Sequence, residues 1–97
     1  MNGLSFHELA ERELNDAAQY YDLEQPGLGA TFIADVRHCT DAILEYPEAG
    51  PVIRGRVRRR LCLKFRYGVL YTIRPGTVCV LAVMNLRRHP LYWVGRS

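Results

Sequence analysis

The sequence predicts an α+β fold in which an N-terminal antiparallel helical hairpin packs on a small twisted antiparallel β-sheet. Apolar residues recur three and four apart in the first half of the chain, the spacing of amphipathic helices. From Val52 onward, short runs of β-branched and aromatic residues are separated by turn residues, which is typical of strands. A chain of 97 residues has room for one core, so we expect one domain, residues 1–97.

The N-terminal segment predicts a short strand at residues 3–6 and then a helix that runs to about Leu23. Either Ser5 or His7 caps this helix, since Ser5 and Glu8 have the spacing of a capping box. Its apolar face carries Leu14, Ala17, Ala18 and Tyr21. The helix is therefore expected to rest on a core through one face.

A second helix follows the turn residues Pro26 and Gly27, and Pro47 ends it. Its apolar residues lie four, four, three and four positions apart: Leu28, Phe32, Val36, Cys39 and Ile43. Because only about five residues join the two helices, they are expected to form an antiparallel hairpin.

The second half of the chain predicts strands near residues 60–66, 69–73 and 77–84. In the first, Leu61, Leu63 and Phe65 alternate with polar residues, which indicates one buried face. The third run is almost entirely apolar and predicts a central strand buried on both faces. Since tight turns at Tyr67-Gly68 and at residues 74–76 connect these runs, neighbouring strands should be antiparallel.

Charge is divided between the two halves. All ten carboxylates lie at or before Glu48, whereas eleven of the thirteen Lys and Arg residues follow it. Residues 1–48 thus carry a net charge of −8 and residues 49–97 a net charge of +11. A surface built in this way attracts polyanions to one side, so nucleic acid and acidic protein segments are the partners that it predicts.

Other features narrow the function classes. No apolar run approaches the roughly 18 residues that span a bilayer, and the N-terminus lacks a signal-peptide pattern, so we expect a cytoplasmic protein without membrane partners. Cys39, Cys62 and Cys79 show no metal-ligand spacing and are expected to be reduced core residues. Without a phosphate-binding glycine loop, nucleophile elbow or metal motif, we expect no cofactor and no metal.

Seven cations occur within thirteen residues: Arg54, Arg56, Arg58, Arg59, Arg60, Lys64 and Arg66. The planar guanidinium of arginine binds phosphate or carboxylate through two hydrogen bonds, which favours recognition over solubility alone. Arg58, Arg60, Lys64 and Arg66 are therefore candidate target-binding or nucleic-acid-binding residues. Two alternatives remain: a solvated strand face, or pairing with carboxylates of the helices.

The segment after the last strand combines cations, a histidine and aromatic rings. Arg87, Arg88 and Trp93 join the candidate binding residues. Cations beside a proton-transferring histidine or tyrosine would suffice for metal-free RNA cleavage by the ribose 2′-hydroxyl. Arg88, His89 and Tyr92 are the catalytic candidates if the protein is a ribonuclease. Tyr92 and Trp93 could equally cap the core.

An ordered series of short segments resembles the RelE/ParE toxin superfamily over nearly the whole chain. The segments are Glu13-Leu14, Ala17-Ala18-Gln19-Tyr20-Tyr21, Pro26-Gly27-Leu28-Gly29-Ala30-Thr31-Phe32, Tyr46-Pro47-Glu48-Ala49-Gly50-Pro51, Ala82-Val83 and Arg87-Arg88-His89-Pro90-Leu91-Tyr92-Trp93. The resemblance implies the toxin of a type II toxin–antitoxin system, with a helical hairpin on an antiparallel sheet. It also implies a cognate antitoxin, which we expect to be acidic and to order its C-terminal segment on this protein.

The superfamily contains two mechanisms. The RelE branch cuts messenger RNA on the ribosome, and the resemblance places its C-terminal tyrosine on Tyr92. Its arginine beyond the last strand falls on Leu86, although Arg87 and Arg88 are adjacent. The ParE branch poisons DNA gyrase, and the Pro-Gly-Leu-Gly turn and the C-terminal segment are more similar to that branch. We therefore expect a gyrase inhibitor, with a ribosome-dependent endoribonuclease or an inactive antitoxin-binding descendant as alternatives.

Overall fold

A computed structural model describes residues 3–96, in which two helices pack against a five-stranded sheet. The elements are β1 (Gly3–Phe6), α1 (Glu8–Glu24), α2 (Leu28–Glu45), β2 (Val52–Arg54), β3 (Val57–Leu61), β4 (Tyr67–Arg74) and β5 (Thr77–Asn85). The strands lie in the order β1-β5-β4-β3-β2. The predicted α+β fold is confirmed. Neither helix of residues 3–96 is both long and apolar enough to cross a bilayer.

Two local features build the helical hairpin. His7 caps α1, because its Nδ1 accepts a hydrogen bond of 3.1 Å from the Leu9 amide. Gly27 precedes α2 with φ of 89°, a left-handed conformation that favours glycine. At Gly29 the helices are so close that a Cβ atom would clash with the carbonyl oxygen of Ala18. The Pro-Gly-Leu-Gly turn therefore sets both the direction and the proximity of the two helices.

The main core lies between the helices and one face of the sheet. Phe32, Val36 and Ile43 of α2 are buried there against residues of β4 and β5. The second face of the sheet has a smaller buried cluster, which contains Leu70 and Ala82. Residues 78–84 of β5 are all buried, which confirms the expectation of a central strand covered on both faces.

The sheet is mixed, because β1 pairs parallel with β5 while the remaining neighbours are antiparallel. Parallel neighbours need a long crossover connection. Here the chain between β1 and β5 contains both helices and three strands. Rules for tight turns could not predict this pairing, because the two strands are not consecutive in sequence.

The strand that was predicted near residues 60–66 instead runs over Val57–Leu61, and residues 62–66 form a loop. Tyr67 and Gly68 were expected to form a turn but begin β4 instead. The apolar alternation continues past Leu61, yet the chain turns away from the sheet there. The prediction of this strand boundary was therefore wrong.

A carboxylate of α2 explains the early end of β3. Asp35 is buried and accepts hydrogen bonds from the backbone amides of Leu63, Lys64 and Phe65, at 3.3, 3.0 and 2.9 Å. These amides bond to a side chain rather than to a neighbouring strand. Asp35 of α2 thus fixes the position of the β3–β4 loop through these hydrogen bonds.

Candidate functional site

The basic segment is largely free of partners among the carboxylates. Across residues 3–96 the ion pairs are Arg12 with Glu8 at 3.7 Å and Arg96 with Glu13 at 2.9 Å. Neither pair involves a cation of residues 54–66. Within the described chain, the acidic helices therefore do not neutralise this segment through direct ion pairs.

The structure nevertheless divides these cations among several surfaces. On β3, Arg58 and Arg60 point to one face of the sheet and Arg59 to the other, because side chains alternate along a strand. Arg58 donates hydrogen bonds to the carbonyl oxygens of Glu48 and Gly50, at 2.9 and 2.7 Å. Part of its hydrogen-bonding capacity is thus used to hold the segment after α2.

Three cations converge at one end of the sheet, beside the C-terminal part of α1. Lys64 and Arg66 of the β3–β4 loop and Arg87 beyond β5 line an open cleft of about 540 Å³. Four aromatic residues and Asn85 complete its walls: the aromatic residues are Tyr20, Tyr21, Phe65 and Tyr67. We call this site the aromatic cleft. The charged groups that line it are all cationic.

The backbone that carries these cations is fixed by hydrogen bonds. Asp35 holds the amide of Lys64, as described above. The carbonyl oxygen of Arg66 accepts a bond of 3.1 Å from the Leu86 amide, and the Arg87 amide donates to Asn85 Oδ1 at 2.9 Å. The cationic side chains therefore extend from an ordered frame into solvent.

The floor of the aromatic cleft is an aromatic cluster that extends into the core. Tyr21 lies 4.8 Å from Phe65 and 5.3 Å from Phe32, between ring centroids. Burial, with a further contribution from Tyr67, raises the pKa of Tyr21 to about 12. A hydrogen bond with Glu24 raises the pKa of Tyr20. Both phenols are therefore neutral near pH 7, so they do not repel an anion.

The C-terminal segment is fastened by a second cluster, which we call the Glu13 clasp: Glu13, Tyr92 and Arg96. Arg96 forms two hydrogen bonds with the Glu13 carboxylate, at 2.9 and 3.1 Å, and Tyr92 donates to it at 2.6 Å. The side chains of Arg96 and Glu13 are only 11% and 16% exposed. The pair is therefore well shielded from solvent.

The Glu13 clasp also completes the edge of β5. The β1–β5 pairing ends at Val80, beyond which β1 offers no partner. Glu13 accepts a bond of 3.1 Å from the Val83 amide, and Arg96 donates one of 2.9 Å to the Leu81 carbonyl oxygen. The side chains of Glu13 and Arg96 thus form the hydrogen bonds that a longer β1 would have formed with the backbone of β5.

The three catalytic candidates lie near one another, and each has a partner within the chain. Burial and the hydrogen bond to Glu13 raise the pKa of Tyr92, so its phenol stays protonated at neutral pH and its proton is donated to Glu13. The Arg88 guanidinium stacks 4.1 Å from the centre of that ring. His89 Nδ1 accepts a bond of 3.2 Å from the Leu91 amide. Leu86, on which the resemblance places the RelE-branch arginine, is 39% exposed.

The position of Trp93 corrects its assignment as a target-binding residue. The residue is 3% exposed and packs on Leu70, Ala82 and Met84, on the face of the sheet opposite the helices. Its Nε1 donates a bond of 2.7 Å to the Pro90 carbonyl oxygen. Its ring has no free surface for a target. Trp93 instead covers the core, which was the alternative interpretation.

The roles of Glu13 and Asp35 were not predicted, although both residues carry a recognisable signal in the sequence. Glu13 lies three residues after the buried Ala10, and Asp35 lies three residues after the buried Phe32. Both carboxylates therefore occupy the helix face that packs on the core. An acid on the apolar face of a helix needs a partner, and this spacing could have identified both residues.

The comparisons with known proteins agree with this geometry. The model of the ParE toxin family, the toxin of the type II toxin–antitoxin system parDE, matches residues 4–90, so the chain belongs to that family. The solved chromosomal ParDE system from P. aeruginosa shares the fold with a TM-score of 0.77 and 12% identity, over 88% of this chain and 96% of that one. No curated protein matches the sequence. Within residues 3–96, no three His, Cys, Asp or Glu residues form a group that could hold a metal ion.

Proposed function

We propose that this ParE-family toxin arrests bacterial growth by binding DNA gyrase or its DNA complex, without itself making or breaking bonds. One observation carries the proposal: the cations of the aromatic cleft extend from a fixed backbone and have no carboxylate partner in the described chain. Exposed guanidinium and ammonium groups suit the recognition of phosphate or carboxylate on a large partner.

The C-terminal segment supports binding over RNA cleavage. A general acid or base needs a pKa near the working pH and access to the reacting proton. Tyr92 meets neither condition, because its pKa is raised and its hydroxyl group donates to Glu13. A hydrophobic residue, Leu86, stands where the resemblance places the arginine that the RelE branch uses.

The same basic surface is proposed to attract the antitoxin that neutralises the toxin in the cell. An acidic segment that is disordered when free would gain charge-assisted hydrogen bonds as it orders on the exposed cations. The affinity should then fall as salt concentration rises, because salt screens exposed charges. Titration of the toxin with its antitoxin at low and high ionic strength measures this, and an unchanged affinity would contradict a role for these cations.

The gyrase mechanism is tested with purified gyrase and supercoiled plasmid. We expect the toxin to trap cleaved DNA or to abolish supercoiling, and we expect the Arg66→Gln/Arg87→Gln variant to lose at least tenfold in potency. Arg74→Gln is the matched control, since Arg74 is also exposed but lies at the other end of β4.

A parallel translation reaction with programmed ribosomes separates the two branches of the superfamily. Unchanged plasmid topology at excess toxin would overturn the gyrase proposal. Cleavage of the codon in the ribosomal A site would replace it with the endoribonuclease mechanism.

A further inference from the structure

The aromatic cleft has a composition that none of the predicted roles explains. The cations alone would suit any anionic partner. The exposed ring of Tyr20 beside them adds a second kind of recognition, because flat rings stack on other flat rings. None of the ribonuclease candidates, Arg88, His89 and Tyr92, lines this cleft.

We propose that the aromatic cleft binds single-stranded nucleic acid, with an unpaired base stacked on Tyr20 and its phosphates held by Lys64, Arg66 and Arg87. Alternating aromatic and cationic groups along an open groove are the general means of binding such strands. The proposal deepens the proposed function by naming the ligand class of one site, but the binding itself requires no gyrase.

Tyr20 is placed to receive a base. It is 57% exposed at the rim of the cleft, and Tyr21 supports it in an edge-to-face arrangement with ring centroids 5.4 Å apart. Tyr21 in turn packs on the core through Phe32. The ring is therefore held from behind while much of its surface faces solvent, so stacking costs little side-chain entropy.

The distribution of charge gives the strand a direction across the cleft. Glu24 lies one helical turn after Tyr20 on the same helix, so its carboxylate repels phosphate from this side. The cations lie on the β3–β4 loop and beyond β5, on the side of the sheet. A base on Tyr20 with its phosphates toward Arg66 and Arg87 keeps the phosphates near the cations and away from Glu24.

The geometry favours an unpaired strand over a duplex and over an acidic peptide. A base that is already stacked and paired within a duplex cannot place its face on Tyr20. An acidic peptide would use the cations but would leave the exposed ring without a matching flat partner. The cleft volume of about 540 Å³ lies within the usual range for sites of small ligands such as a nucleotide.

The test measures fluorescence anisotropy of labelled oligonucleotides with the full chain. The probes are oligo-dT, oligo-dA and oligo-U of about 12 nucleotides, a duplex of the same length and a poly-glutamate peptide. We expect the single strands to bind at least tenfold more tightly than the duplex and the peptide. Tyr20→Ala should weaken binding of the single strands by about tenfold.

Two matched controls make the test specific. Tyr46→Ala removes a tyrosine that is 62% exposed at the end of α2, away from the cleft, and should leave binding unchanged. Arg87→Gln should lower the slope of log affinity against log salt by about 0.7, whereas Arg74→Gln should not. Tyr20→Leu keeps an apolar side chain without a stacking face, so it should bind as weakly as Tyr20→Ala even if the alanine variant is less stable.

Several results would overturn the proposal. These are absence of binding to single strands, equal losses in the Tyr20 and Tyr46 variants, and full binding by Tyr20→Leu. Tighter binding of the peptide that depends on Tyr20 would assign the cleft to an acidic protein segment instead. Since no gyrase is present, inhibition of gyrase together with a negative result here would leave the proposed function standing and remove only this site.

Discussion

The Glu13 clasp and the aromatic cleft use the same kinds of residues in opposite ways. In the clasp, Arg96 is enclosed by Glu13 and stabilises the edge of β5. In the cleft, Arg66 and Arg87 extend into solvent, without a carboxylate at ion-pair distance in residues 3–96. An arginine that pairs with a carboxylate of α1 stabilises the fold. An arginine whose backbone is hydrogen-bonded but whose side chain has no carboxylate partner remains available to bind a ligand.

The largest effect is expected from breaking the clasp. Glu13→Gln leaves the Arg96 charge buried without its counter-ion, and should lower the free energy of unfolding by about 3 kcal/mol. Urea denaturation measures the loss, with Glu11→Gln, an exposed acid of α1, as the control. The Glu13→Gln/Arg96→Met double variant should recover part of the stability, because it removes the unpaired charge. Equal stability of the Glu13 and Glu11 variants would show that the clasp does not stabilise the fold.

A smaller loss of stability is expected from replacing Asp35, the acid that fixes the loop of the aromatic cleft. Asp35→Ala removes three hydrogen bonds from the β3–β4 loop and leaves its amides without a partner, which should cost about 2 kcal/mol. Asp41→Ala changes an exposed acid of the same helix and should cost little. Hydrogen exchange at the amides of residues 63–65 should accelerate only in the first variant. Unchanged exchange there would contradict the role of Asp35 in fixing the frame of the cleft.

The tyrosine of the clasp should have a modest effect that depends on pH. Tyr92→Phe removes the bond to Glu13 and should cost about 1 kcal/mol near pH 7, without loss of gyrase inhibition. The fold raises the pKa of Tyr92, so it favours the neutral phenol. The unfolded chain therefore ionises first, and this contribution is present below about pH 10 and is lost as pH rises above it.

Stability should consequently fall less steeply between pH 10 and pH 12 in Tyr92→Phe than in the original chain, as thermal unfolding over this range can measure. Tyr46→Phe, a change at an exposed tyrosine, is the control. Identical alkaline profiles for the original chain and Tyr92→Phe would contradict the environment described for this phenol.

The smallest effect on stability is expected in the cleft itself. Arg66→Gln/Arg87→Gln removes two cations that lack acidic partners, so the free energy of unfolding should change by no more than about 0.5 kcal/mol. The same variant is expected to lose at least tenfold in gyrase inhibition. A large loss of stability would show that these residues belong to the structural class of Arg96, and it would abolish the contrast between the two sites.

The regular elements could be predicted from sequence because burial follows their period. Phe32, Val36 and Ile43 lie on one face of α2, and the apolar run of β5 is buried as expected. The pairing of β1 with β5 could not be predicted, because the spacing of apolar residues along a strand does not indicate which distant strand lies beside it. The end of β3 was missed for a similar reason, since Asp35 acts on it from another element.

The candidate site was predicted in composition but not in arrangement. The density of arginine indicated a basic surface, but alternation along β3 separates Arg58 and Arg60 from Arg59. Lys64 and Arg87 are distant in sequence, and they meet because Tyr67 pairs with Asn85 at one end of the sheet. Tyr20 was not among the candidate binding residues, because an exposed ring on a helix has no distinctive signal until its neighbours are known.

The parallel contact between β1 and β5 joins two segments that are far apart in the sequence. Gly3 pairs with Thr77, and the carboxylate of Glu13 accepts a hydrogen bond from the guanidinium of Arg96. A nascent chain that has made the helical hairpin therefore still lacks the edge strand and its clasp. The edge of the sheet can therefore be completed only after residue 96 has left the ribosome, so it is a late step of folding during synthesis.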